Sequence, residues 1–242
     1  MVRAILLGLL ASAVFAQSTA PVRTFEVASV KPHEGPMLRL GVSTAGLRLT
    51  ADCSNVLMLV KFAYNLKNFQ VTGAAPLLKD DNTRWDIVAK AAGDAAPTAA
   101  EFRQMLQSLL AERFQLQVHR EMREMPVYAL AVGKNGPKFH QSDPDADASS
   151  QYSTKDRDMV ITMPKATMSD VADAAANANL NRPVVDKTGL TGTYNIKLTY
   201  STDASDISVF QAVEEQLGLK LEARKEMVEI LVVDRVEKPS AN

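Results

Sequence analysis

Trp85-Asp86-Ile87-Val88-Ala89-Lys90 reads as a strand, and Tyr194-Asn195-Ile196-Lys197-Leu198-Thr199 answers it in the second half of the chain. The flanking landmarks recur in the same order. Leu116-Gln117-Val118 corresponds to Leu219-Lys220-Leu221, and Val127-Tyr128-Ala129-Leu130-Ala131-Val132 to Val228-Glu229-Ile230-Leu231-Val232-Val233. From Leu47 to Lys134, and again from Met159 to Lys238, the order is strand, helix, short strand, strand, helix, hairpin. The expected fold is α+β, a tandem duplication of this unit with small mixed or antiparallel sheets, each covered by two helices. A doubled small unit suggests a scaffold or binding device before it suggests an active site.

The helices carry the clearest local signals. Thr98-Ala99-Ala100-Glu101 is a capping box, in which threonine and glutamate each satisfy an orphan backbone donor. Phe102, Met105, Leu106, Leu109, Leu110 and Phe114 then fall on one face at a period of 3.6. The first helix is expected from about Ser54, as N-cap, to about Asn65, and the third from about Thr167 to Asn177. Ser208 to Leu217 makes the fourth, with Ser208 and Gln211 as a second capping box and Gly218 as its stop.

The strands and loops are read around these helices. Thr24 to Val30 alternates as a strand, and Lys31-Pro32 ends it. Leu38 to Leu40 and Leu47 to Leu49 flank a hairpin turn at Ser43-Thr44-Ala45-Gly46. Phe69-Gln70-Val71 and Pro183-Val184-Val185 are the two short strands. Arg120 to Glu124 turns between Leu116–His119 and Val127–Val132. A matching hairpin joins Leu219–Arg224 to Val228–Val233. The expected organisation is a signal segment at 1–16 and a first unit at 17–134 with an extra N-terminal strand. A linker or exposed loop at 135–158, a second unit at 159–238 and a tail at 239–242 follow.

Composition sets the compartment and excludes classes of partner. Arg3 followed by the apolar or small run Ala4 to Ala16 reads as a secretory signal, cut after Ala16. That run is too short to span a bilayer, and no later stretch is apolar enough to do so. The expected location is therefore periplasmic or extracellular, with no transmembrane segment after cleavage. The single cysteine, Cys53, cannot form an internal disulfide, so the core must hold the fold. It reads as a buried inert thiol, since nothing nearby in sequence supplies a base. Lys and Arg number 27 against 28 Asp and Glu, with no block of one sign. That balance argues against nucleic acid and against an anionic membrane surface.

Signatures of chemistry are sparse. The three histidines, His33, His119 and His140, lie far apart, and no zinc motif is present. Asp143, Asp145 and Asp147 have the spacing that opens a calcium loop, but Ala148 and Thr154 replace its required glycine and glutamate. No nucleophile elbow, phosphate loop or dinucleotide fingerprint occurs, so no cofactor or metal is expected. A glycosidase would need only two carboxylates. The binding candidates are Arg120, Glu121, Arg123 and Glu124, as a charged hairpin tip, and Asp186 and Lys187 in the turn before Gly189. Each also fits a plainer reading. Surface ion pairs at a solvated turn contribute only about 0–1 kcal/mol each, and Asp and Thr before Gly are ordinary turn chemistry.

The run His119-Arg120-Glu121-Met122-Arg123-Glu124-Met125-Pro126-Val127-Tyr128 resembles the most recognisable stretch of a family of unknown function. Its members are secreted proteins of soil Acidobacteria known as soil-associated proteins. The resemblance continues at Phe25 to Pro32, at Pro183 to Tyr194 and at Glu215 to Glu222, so it covers nearly the whole mature chain. Some relatives look like fusions to membrane metallopeptidases of the antibiotic-sensor type, which implies an envelope role. Each half also resembles, more loosely, the short N-terminal domain of secretins and TonB-dependent receptors, which implies docking surfaces. The expectation is a non-enzymatic binding or assembly module for a protein partner in the envelope or outside the cell. The alternatives are a small-ligand sensory domain or a hydrolase without a recognisable motif. The oligomeric state stays open.

Overall fold

The computed structural model describes residues 23–178, 180–201, 203 and 208–239. The expected signal segment at 1–16, and the tail beyond Pro239, lie outside the described residues. The fold is α+β, with four α-helices and three four-stranded sheets among the described residues. By its internal contacts the chain forms two units. One runs to His119 and resumes at Val232; the other is Arg120–Leu231.

In the first unit β1 (Phe25–Pro32), β2 (Gly41–Ala45), β3 (Arg48–Ser54) and β5 (Trp85–Ala91) form an antiparallel sheet in the order β1-β5-β3-β2. Between β3 and β5 come helix α1 (Val56–Tyr64), a 3-10 turn at Asn68–Gln70, the short strand β4 (Val71–Gly73) and a second 3-10 turn at Pro76–Lys79. Leu49 and Ala51 of β3 and Ile87 and Ala89 of β5 are buried, together with Leu59 and Val60 of α1. Helix α2 (Ala99–Arg113) adds Phe102, Met105, Leu106, Leu109 and Leu110 to this core. Trp85 meets Phe114 edge-on at 5.2 Å between centroids, which makes it a core aromatic.

The α2 capping box forms as the sequence predicts. Thr98 accepts from the Glu101 amide at 3.2 Å, and Glu101 accepts from the Thr98 amide at 2.7 Å. The Thr98 amide, and then the Thr98 hydroxyl, hold the Glu101 carboxyl below the usual glutamate range. A carboxyl lowered on folding contributes stability above its unfolded value, and that contribution is lost as pH falls through the folded value. Thermal unfolding followed from neutral pH into the acid range is therefore expected to show a smaller acid loss in Glu101→Gln than in the parent. An unchanged acid slope would show that this cap is not coupled to global stability.

The second unit contains β7 (His140–Gln141), β8 (Gln151–Lys155), β9 (Asp158–Ala166) and β11 (Tyr194–Ser201), in the order β7-β11-β9-β8. Helices α3 (Met168–Ala176) and α4 (Val209–Leu217) and the short strand β10 (Val184–Asp186) complete it. Ile161, Met163, Val171, Ile196, Leu198 and Val213 belong to its core. β10 runs parallel to β6 (Gln117–Val132), with Val184 opposite Tyr128. The third sheet is ordered β10-β6-β12-β4, where β12 is Leu219–Arg235.

Several elements differ from those the sequence predicts. The hairpins expected at Arg120–Glu124 and between Arg224 and Val228 do not exist: β6 and β12 are single strands of 16 and 17 residues. Neither stretch holds the Gly, Asn or Asp that a tight turn uses, and an exposed strand takes alternating charge equally well. Pro126 fits because it precedes the residues of β6 that pair with β10. The segment 135–158, read as linker or loop, supplies β7 and β8, which pair with β11 and β9. Residues 38–40 lie outside any strand, and β2 starts at Gly41. Asn55, not Ser54, caps α1, accepting from the Met58 amide at 2.9 Å. Phe69 and Gln70 sit in a 3-10 turn before β4. At α4 Ser208 accepts from the Gln211 amide at 3.3 Å. The reciprocal capping box forms at α3 instead, between Thr167 and Asp170.

Candidate functional site

The middle stretches of β6 and β12 are exposed on both faces. This is unusual for strands, which normally bury one face against a core. The charges there pair with one another. Arg120 bonds Glu229, Arg123 bonds Glu121, and Lys225 reaches Glu124 at 3.1 Å. Lys187, just after β10, lies 3.2 Å from Glu226. Glu222 holds Lys220 and Arg224, and these two hydrogen bonds lower its carboxyl below the usual range. The structure thus places Arg120, Glu121, Arg123 and Glu124 on a strand rather than a hairpin tip, with Arg120 and Glu124 on one face and Glu121 and Arg123 on the other. Asp186 takes a different role. It accepts from the Thr188 amide and hydroxyl at 2.9 and 2.8 Å, closing the turn that leads to Gly189.

Between the ion pairs lie two side chains that the sequence reading passed over. Side chains two apart on a strand share a face. Arg120 pairs with Glu229 and Glu124 with Lys225, so Met122 falls between Arg120 and Glu124 on β6 and Met227 between Lys225 and Glu229 on β12. Both are exposed, at 56% and 55%. The surface is an apolar thioether pair bracketed by two salt bridges. Methionine is polarizable and conformationally adaptable, and is over-used at surfaces that bind varied partners. The sequence signal was present: two methionines set within charge alternation, where a solvated strand would need neither.

Other clusters do not converge on chemistry. The second unit has a cleft of about 570 Å³ lined by Lys134, Lys138, Lys220, Glu214 and Glu215. Lys138 donates to the Glu215 carbonyl and Lys220 pairs with Glu222. Its walls carry both charge signs, unlike the mostly apolar lining of ligand pockets. In the first unit β3 is bulged between Ala51 and Ser54, and buried Cys53 takes a φ of +45°. Asp86 closes that bulge, accepting from the Cys53 amide at 2.9 Å and from His33 Nδ1 at 3.0 Å. Arg84 donates to the Cys53 carbonyl at 3.1 Å. The sequence offered Cys53 no neighbouring base; strand pairing brings the His33–Asp86 pair to its backbone. His119 bonds Asp234 through Nδ1 at 2.9 Å. Among the described residues no three His, Cys, Asp or Glu are placed to hold a metal, and no helix is long and apolar enough to cross a membrane.

With this architecture the chain is an α+β protein built on three small sheets. Residues 57–236, more than half of it, match the family described as protein of unknown function DUF3738, and the chain belongs to that family. No curated protein and no solved structure matches it.

Proposed function

We propose that the protein is a non-enzymatic binding or assembly module that takes a protein partner on the Met122–Met227 face. The signal-like run Arg3 to Ala16 supports a periplasmic or extracellular location, where the partner would be an envelope or extracellular component. The observation that carries this reading is the exposed methionine pair bracketed by the Arg120–Glu229 and Glu124–Lys225 ion pairs. An apolar centre ringed by polar groups is the arrangement of an interface hot spot. The ring of charges would set register and on-rate more than affinity. The like strand order of the two sheets supports reading the chain as a doubled scaffold that presents such a surface. The perturbed carboxyls of Asp80, Glu101, Asp147 and Glu222 belong to turns, a helix cap and strand ion pairs rather than to a shared cleft, which favours binding over catalysis.

Crosslinking in cells, followed by capture from the envelope fraction, tests this. One reproducible partner is expected. Its recovery should drop about tenfold or more in Met122→Asp/Met227→Asp, and less in Arg120→Glu/Arg123→Glu. Both double variants should stay folded and melt only slightly below the parent, because all four positions are exposed and the new cross-strand like charges cost about 1 kcal/mol or less. A partner recovered equally by every variant would move the site elsewhere. A hydrolytic activity abolished by one point substitution would overturn the reading.

A further inference from the structure

Each unit leaves one five-residue strand edge open. Among the described residues β2 pairs only with β3, and β8 only with β9, and each ends its sheet. An open edge presents every second backbone N–H and C=O for pairing with another strand, and proteins that avoid this place charge or proline there. β2, Gly-Val-Ser-Thr-Ala, carries neither. β8 has only Lys155, at its end.

The two edges have opposite chemistry behind them. Val42 lies opposite buried Ala51, so it faces α1, and with Met58, Lys61, Phe62 and Leu66 it lines a hollow of about 290 Å³. Lys61 is the single charge on α1. On β8, Tyr152 lies opposite buried Ile161, so it faces α3, and it is 52% exposed. α3 carries Asp170 and Asp173 and no base. Burial first, and then these two carboxylates, raise the Tyr152 hydroxyl above its usual range.

We propose that β8 of one molecule adds to β2 of a second copy, so that Tyr152 fills the α1 hollow and Lys61 faces Asp170 and Asp173. The joined sheet would keep its helices on one side, because Val42 and Tyr152 both point to the helix face. Like edges are disfavoured: β2 on β2 opposes lysine to lysine, and β8 on β8 opposes acid to acid. The contact is heterologous, so it closes into a ring or extends. It uses a surface separate from the Met122–Met227 face.

Sedimentation velocity of the protein purified from its full coding sequence, across a micromolar concentration series, tests the contact. Self-association is expected, weakening as salt rises. Lys61→Glu and Asp173→Lys should each weaken it about tenfold, Tyr152→Ala should weaken it as well, and the Lys61→Glu/Asp173→Lys double should restore it. A protein that stays monomeric throughout overturns the inference, as does association that ignores both charge changes or a double variant that fails to recover. A monomer that still captures its partner through Met122 leaves the proposed function standing. A self-associating chain that captures nothing retains only the strand-edge contact.

Discussion

A chain ended at Leu231 is expected to lose the fold of its first unit. The residues removed belong to that unit although they are the last in the sequence. Val233 and Val236 are only 1% and 8% exposed, and burying two such side chains stabilises by about 3–6 kcal/mol. The Glu237 amide donates to the Phe114 carbonyl at 2.7 Å, and β12 is the sheet neighbour of β4. The approach of that strand is close: a Cβ on Gly73 would sit 2.5 Å from the Val233 carbonyl oxygen. Domains are stable by about 5–15 kcal/mol in total, so the loss takes a large share. Hydrogen exchange provides the measurement. In the truncated chain the amides of β3 and β5 should exchange at close to unfolded rates, while those of β9 and β11 stay protected. Protection retained in β3 and β5 would mean that the last strand lies on the first unit without completing it.

This end-to-start closure is the part of the fold that local sequence could not display. Helix α2 was legible because its capping box and its 3.6-residue stripe are both local. The same holds for α4, where Ser208 and Gly218 bracket the helix. β6 and β12 differ from the expectation because a charged run without hydrophobic alternation fits a turn tip and a doubly exposed strand alike; only the partner strand decides between them. β7 and β8 were invisible for a related reason. Every residue of β8 is exposed, so no hydrophobic period marks it, and its strand character comes from pairing with β9. The site divides in the same way. Arg120, Glu121, Arg123 and Glu124 stood out by charge, but Glu229 and Lys225, the partners of Arg120 and Glu124, lie over a hundred residues away. Met122 carries no charge to mark it, and its significance depends on Met227 sharing its face.

Gly218→Ala is expected to cost about 2–5 kcal/mol, and the cost separates into two parts. Gly218 stops α4 in the left-handed region, with φ at +65° and its amide bonded back to the Glu214 and Val213 carbonyls. A side chain in that conformation costs about 1–2 kcal/mol. The second part is steric. A Cβ there would overlap the Gly136 carbonyl oxygen and come within 3.1 Å of Lys138 Cγ. That loop cannot simply withdraw. Gly133 donates to the Gly218 carbonyl at 2.9 Å and Lys138 to the Leu217 carbonyl at 3.0 Å, so retreat breaks bonds on both sides of the contact. Overpacking of this kind adds about 1–3 kcal/mol. Gly189 is the control: its φ is +70°, yet nothing lies within 4 Å of the position a Cβ would take. Gly189→Ala should therefore show the conformational cost alone. Urea unfolding of both variants measures the difference. If the two alanines cost the same, the loop at 133–138 yields freely, and its packing on α4 contributes little to the second unit.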